Sequence, residues 1–235
     1  MYLPNICVDN FFNDPDKIYE YAMSQEFYSA SNDSVEARER GLPLGYWPGK
    51  RTKPFHIIDS DFTEALSNKI MALFFGSIRE VTLESYFQLI YPHEHKEIKN
   101  GWIHTDSDST KYAGVVYLNK NMSLDSGTSL YRQKKMGPDL SVNFVKARNL
   151  HYSPNFADKD ILYIKEQLEN NNSYYEETVR FNAIYNRLVG YDSSYHHGVR
   201  DYHGNNNEPR LTLVFFIHGI KSDWFPIPES KRIHI

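Results

Sequence analysis

The sequence predicts a mainly β single domain, a barrel or sandwich of short strands with α-helices flanking it. Three observations carry this. Strand-like stretches recur through the second half of the chain, separated by turn signals such as Asp125-Ser126-Gly127 and Gly204-Asn205-Asn206-Asn207. The 18 Tyr and 14 Phe suit a core built on sheets. The 235 residues are enough for one large core, and neither an internal repeat nor a linker divides them.

Taken in order, Val8-Asp9-Asn10-Phe11-Phe12 reads as a short strand. Asn13-Asp14-Pro15 then opens a helix, with Asp14 at the cap and Pro15 at the first helical position. Ile18, Tyr21, Ala22 and Gln25 give it a partly apolar face. Residues 29–46 are polar and read as irregular, running into Tyr46-Trp47-Pro48-Gly49-Lys50-Arg51-Thr52. Pro48-Gly49 is a turn signal. The Trp, Arg and Thr around it are also what a substrate-facing loop needs. Asp61 is the expected cap of a second helix, whose Leu66, Ile70, Leu73 and Phe74 fall three or four residues apart. From there the pattern turns to strands, over 84–91, 113–118, 128–131, 179–185, 188–191 and 211–217. Between Arg132 and Thr178 lies a long insertion. In it a short helix carrying Ile161, Leu162, Lys165 and Leu168 precedes a polar run, Glu169-Asn170-Asn171-Asn172-Ser173, that reads as a loop.

Composition narrows the function classes. A net charge of −4 with no basic block gives no footing for a nucleic-acid partner. The single cysteine, Cys7, excludes an internal disulfide and a cysteine-built zinc site. No apolar run approaches the length of a membrane span. The start, Met1-Tyr2-Leu3-Pro4-Asn5, has neither the basic region nor the apolar core of a signal peptide, so a cytoplasmic location is expected.

Chemistry concentrates at His104-Thr105-Asp106. On an extended segment, residues two apart project to the same face. His104 and Asp106 can then meet one ion, and a second imidazole from elsewhere would complete the facial triad of non-haem Fe(II) sites. Candidates for that imidazole include the adjacent His196 and His197, of which only one can point inward from a strand. His93, His95 and His203 read as solvated loop histidines. Arg210 opens the apolar strand Leu211-Thr212-Leu213-Val214-Phe215-Phe216-Ile217, where burial demands an anionic partner. That partner is either a side chain such as Glu208 or a bound carboxylate gripped by the guanidinium fork. Tyr117, within Val115-Val116-Tyr117-Leu118, fits plain core as well as a site.

In this order the motifs resemble the 2-oxoglutarate and Fe(II)-dependent dioxygenases of prolyl-hydroxylase type. The resemblance spans roughly 84–132 and 178–218, through Tyr91-Pro92, His104-Thr105-Asp106, Tyr117-Leu118-Asn119, Ser126-Gly127-Thr128, Asn186-Arg187-Leu188, His197-x-Val199 and Arg210. Asn10-Phe11-Phe12, Asp14-Pro15 and Trp47-Pro48-Gly49-x-Arg51-Thr52 look like a subgroup found in marine bacteria and phages. Two departures stand out: Ser126-Gly127 replaces the usual pair of glycines, and the segment between the second and third ligands is unusually long.

The resemblance implies a double-stranded β-helix, or jelly roll, as one domain over 1–235. Residues 1–80 would be helical support, 84–132 and 178–218 the jelly-roll core, and 133–177 an insertion forming a lid or partner surface. It implies His104, Asp106 and His197 as iron ligands, His197 being selected over His196 by its spacing from Tyr191 and Val199. Arg210, Tyr117 and Tyr91 would face 2-oxoglutarate. The implied cofactors are Fe(II), 2-oxoglutarate and O2, with ascorbate as a further candidate. The implied activity is hydroxylation of a small-molecule or peptidyl substrate with release of succinate and CO2. The rival readings are a catalytically silent jelly roll that only binds a ligand or metal, and a cupin-type metal protein, which would not need Arg210.

Overall fold

The structure, a computed structural model, describes residues 3–31, 35–73, 78–91, 98–134, 142–153, 157–202 and 208–222. Phe74, His93, His95 and His203, named above, lie outside the described residues.

Two antiparallel sheets face each other. The larger is built from β1 (Ile6–Val8), β2 (Tyr28–Ser31), β3 (Gly45–Arg51), β4 (Ile78–Ile90), β5 (Tyr112–Tyr117), β8 (Leu188–Asp192) and β10 (Arg210–Ser222). Its order is β1-β8-β5-β10-β4-β3-β2. The smaller comprises β6 (Thr128–Gln133), β7 (Tyr175–Phe181) and β9 (His196–Val199), in the order β7-β6-β9. This is the expected mainly β jelly roll with flanking helices.

Period-2 alternation decides what each face of the large sheet meets. Leu211, Leu213, Phe215 and Ile217 of β10, with Phe87 and Leu89 of β4, pack outward in one apolar cluster. That cluster also holds Phe11, Ala22, Phe55, Leu66, Ile70 and Met71 from the N-terminal segments. Val214, Tyr86, Val115, Tyr117, Val189 and Tyr191 point the other way, toward Leu130 of the small sheet. A strand apolar on both faces reads as an unbroken hydrophobic run, which is how 211–217 looks in the sequence.

The helices that back the large sheet are α1 (Pro15–Met23), α3 (Phe55–Ile58) and α4 (Ser60–Ala72), while α2 (Val35–Glu39) sends Arg38 to the cavity side. Asp14 caps α1 as expected, accepting from the Lys17 N–H, with Pro15 in the first turn. The cap of α4 is Asp59 rather than Asp61: the Asp59 carboxylate accepts from the Phe62 N–H at 2.8 Å. Asp61 lies inside the first turn, where a carboxylate also suits the helix dipole.

Other expectations need correcting. Residues 29–46 contain β2 and α2 rather than irregular chain, and the N-terminal region adds three strands to the large sheet. Pro48-Gly49 does not turn the chain but lies within β3. Gly49 has φ of 73°, and a Cβ there would stand 2.1 Å from the Leu89 carbonyl oxygen, so glycine lets β3 pass close to β4. The run 169–173 is not a loop. It completes α6 (Ile161–Ser173), which pairs with α5 (Val142–His151). The strand expected at 179–185 is shifted toward the N-terminus, as β7. Among the described residues, no helix is long and apolar enough to cross a membrane.

Candidate active site

His104 sits on no long strand. It forms an isolated antiparallel bridge with His197 of β9, its N–H donating to the His197 carbonyl at 3.0 Å and its carbonyl accepting from the His197 N–H at 2.8 Å. Residues directly opposed in such a bridge place their side chains on the same face. The two rings accordingly lie 4.5 Å apart between centroids. Asp106, two residues on, donates its N–H to the Ser193 carbonyl and brings its Oδ1 to 3.7 Å from His197 Nε2. One donor atom from each of His104, Asp106 and His197 lies within 4.8 Å of the other two.

Hydrogen bonding fixes which nitrogens are free. His104 Nδ1 is 2.8 Å from the Trp102 carbonyl and His197 Nδ1 is 3.0 Å from that of Tyr195. A carbonyl only accepts, so each Nδ1 carries the proton and each Nε2 presents a lone pair. Burial pushes both imidazoles down to about 4, His104 also through its neighbour His197, so both are neutral at pH 7. Burial raises the Asp106 carboxyl, and its Oδ2 is buried without a partner among the described residues. A buried carboxylate oxygen lacking a donor, beside two outward lone pairs, is a donor set short of its cation. The residues therefore fit a divalent metal with two imidazoles and one carboxylate.

His196 is directed elsewhere: its ring packs at a tilt against that of Tyr175, 4.6 Å away, on the opposite face of β9. Arg210 is 2% exposed at the head of β10. Its Nε donates to the Ser126 carbonyl at 2.9 Å, and its Cζ lies 5.4 Å from the Tyr117 ring centroid. One of its terminal nitrogens is buried with no partner, and no carboxylate reaches it among the described residues, Glu208 included. The carbonyl that aims the guanidinium belongs to Ser126, where the resembled pattern usually has glycine.

Tyr117 is fully buried beside Arg210, and its hydroxyl is engaged by Thr128, accepting from the N–H at 2.9 Å and donating to Oγ1 at 3.1 Å. Two predicted site residues do not line the cavity: Tyr117, whose hydroxyl is taken up by Thr128, and Tyr91. Glu84, Tyr86, Gln88 and Ile90 of β4 line the cavity, so alternation sends the next side chain outward. Tyr91 is 48% exposed, with the Lys50 ammonium over its ring.

Sequence reasoning missed other participants. Tyr191, which served only as a counting landmark, lines the cavity with its ring 4.6 Å from that of His197. Its inward parity on β8, shared with Val189, was the available signal. The asparagines of α6 carry a loop's composition within a helix. Asn171 Nδ2 donates to the Ile103 carbonyl, Asn172 Nδ2 to the Gly101 carbonyl, and Asn172 Oδ1 accepts the Ile103 N–H, each at 3.0 Å. Trp102, at the centre of that segment, is buried among Phe144, Ala147, Ile164 and Leu168 of α5 and α6. The insertion thus clamps the residues that lead into His104.

His104, Asp106, His197, Tyr191, Thr128 and Arg210 line one cavity of about 710 Å³ between the sheets. DUF6445, a family of unknown function, matches residues 3–217. The chain belongs to that family. No curated protein matches the sequence. Among solved structures, HygX from Streptomyces hygroscopicus, with nickel and 2-oxoglutarate bound, aligns with 91% of this DUF6445 chain and 82% of its own, at 11% identity and a TM-score of 0.51. A Pseudomonas putida prolyl-4-hydroxylase aligns over 91% of both chains at 12% identity and a TM-score of 0.41. A Trichoplax adhaerens prolyl hydroxylase, in complex with a hypoxia inducible factor peptide fragment, covers 91% of this chain and 83% of its own at 13% identity and a TM-score of 0.46. What HygX and this DUF6445 member share at such identity is the fold.

Proposed function

We propose that this DUF6445 member is a non-haem Fe(II)- and 2-oxoglutarate-dependent dioxygenase that hydroxylates a small-molecule or peptidyl substrate. The observation that carries the reading is one cavity wall holding two complementary incomplete sets. His104, Asp106 and His197 offer donors within 4.8 Å of one another, and Arg210 offers a buried guanidinium nitrogen without a partner. A metal jelly roll without 2-oxo-acid chemistry explains the first set and leaves the second unaccounted for.

When bound, iron and 2-oxoglutarate supply the oxidation, in which O2 converts 2-oxoglutarate to succinate and CO2 and a substrate C–H bond is hydroxylated. The protein's part is positional. The Trp102 and Tyr195 carbonyls hold the His104 and His197 rings in the tautomer that offers Nε2 to the metal. Arg210, aimed by the Ser126 carbonyl, binds the distal carboxylate of 2-oxoglutarate as a charge-assisted pair. Thr128 and Tyr117 brace that end, and Val115 and Val214 provide an apolar wall that excludes water.

Purified protein supplied with Fe(II), 2-oxoglutarate, O2 and ascorbate is expected to release succinate slowly even without substrate, and Asp106→Ala to release none. Absence of succinate from iron-loaded wild type would favour the catalytically silent jelly roll.

A further inference from the structure

We infer that Arg51 forms a second anion subsite in this cavity, which holds a carboxylate of the substrate across from 2-oxoglutarate. The inference rests on the dioxygenase reading for the role of the cavity and names the class of molecule it takes.

Arg51 ends β3, in the Trp47-Pro48-Gly49-Lys50-Arg51 stretch, and faces the cavity. Three aromatic rings surround its guanidinium, those of Trp47, Tyr86 and Phe216, with centroids 5.0, 5.3 and 5.4 Å from Cζ. Its Nε donates to Gln88 Oε1 at 3.1 Å, and Gln88 is itself held by the Pro48 carbonyl at 2.9 Å. No carboxylate lies within ion-pair distance of it among the described residues. A cation stacked on rings and fixed through Nε keeps its terminal N–H groups for a ligand.

Arg51 and Arg210 are held by different anchors, Arg51 by Gln88 and the rings of Trp47, Tyr86 and Phe216, Arg210 by the Ser126 carbonyl beside Tyr117. Gln88 pairs with Arg51 on one side and Thr212 on the other, while Arg210 lies two residues before Thr212. Two strand spacings put the backbones of Arg51 and Thr212 about 10 Å apart, with Arg210 farther along β10. The charge in the cavity points the same way. Arg51, Arg148 and Arg210 face it against Glu84 and Asp106, among the described residues. A divalent metal and the 2-oxoglutarate dianion cancel each other, so the loaded cavity stays positive and attracts an anion. A single guanidinium with Glu84 in the same wall suits a monoanion, which makes a carboxylate the match rather than a phosphate.

The test follows the Arg51 Nε–H and Trp47 Nε1–H resonances of the full chain during titration with acetate, acetamide or inorganic phosphate. It is run with redox-silent Zn(II) and 2-oxoglutarate present and repeated without them. Both resonances should shift saturably with acetate and not with acetamide. In Arg51→Lys and Arg51→Met, the Trp47 response to acetate should weaken by at least about tenfold, with Arg51→Lys the less affected. Equal responses to acetamide, a preference for phosphate, or an unchanged Trp47 response in Arg51→Met would overturn the inference. So would 2-oxoglutarate binding that depends on Arg51 and not on Arg210. If Zn(II) and 2-oxoglutarate fail to bind at all, the dioxygenase reading falls, and the Arg51 response in the metal-free chain still reports on the subsite.

Discussion

The same local device recurs at both histidines: the carbonyl two residues back accepts a hydrogen bond from Nδ1–H and turns Nε2 into the cavity. Because His197 is the residue so held and His196 packs on Tyr175, the two should separate cleanly on mutation. His197→Ala is expected to lower Fe(II) affinity by more than about a hundredfold, and His196→Ala by less than about threefold. Anaerobic Fe(II) titration of the two variants checks this, and a reversed order would mean the register of β9 is wrong by one residue. The buried imidazoles also set a pH dependence. With folded values pushed down to about 4, they stay neutral where an unfolded histidine protonates. Between about pH 6.5 and 4 the unfolded chain binds more protons, so metal-free stability falls as pH is lowered through that window. The loss is at most about 1.4 kcal/mol per pH unit for each histidine. Asp106, raised by burial, acts in the opposite sense at the acid end, since its folded carboxyl takes up a proton before the unfolded one does. Urea midpoints at stepped pH should show a shallower slope between pH 6.5 and 5 in His104→Gln/His197→Gln than in wild type.

At the scale of elements, the metal segment is held in place by a helix that the sequence disguises. Asn and Ser favour caps and turns in isolation, so Glu169–Ser173 carries a loop's composition. The run is helical because α5 and α6 bury Trp102 and because Asn171 and Asn172 satisfy the backbone of Gly101 and Ile103. Such tertiary bonding leaves no periodic trace. Replacing both asparagines by alanine removes bonds to a buried backbone, and should weaken Fe(II) binding by about tenfold or more while the fold persists. Unchanged Fe(II) affinity in that double variant, with an intact circular dichroism spectrum, would leave the insertion without a role at the metal segment. Pro48-Gly49 misleads in a similar way, being turn chemistry used for a close strand approach. Gly49→Ala combines a positive φ with a Cβ 2.1 Å from a carbonyl oxygen and is expected to destabilise by about 2 kcal/mol or more, read from urea melts.

At the scale of the molecule, the fold class was legible because alternation and turn signals are local properties. The strands at 113–118, 128–131 and 188–191 recur in the structure with bounds moved by one or two residues, and that at 211–217 recurs within a longer β10 that runs on to Ser222. Less legible was anything decided between distant strands. The His104–His197 bridge, the Ser126 carbonyl behind Arg210 and the Arg51–Gln88 row each join residues 37 to 93 positions apart. His-x-Asp spacing could suggest a metal, but only the closing of the two sheets brings Arg210 and the His-Asp-His set onto one cavity. Tyr91 shows the converse, since a motif position one residue past β4's last inward side chain faces solvent. The central claim is that this wall binds iron and 2-oxoglutarate together, and one anaerobic titration tests it most directly. Fe(II)-loaded protein is titrated with 2-oxoglutarate while the metal-to-ligand absorption band is followed. Wild type should give a saturable band. Arg210→Ala should need about thirtyfold or more 2-oxoglutarate to reach it, because losing a desolvated charge pair costs on the order of 2–5 kcal/mol. Wild-type protein that shows no band, or Arg210→Ala that saturates at the wild-type concentration, would contradict the account.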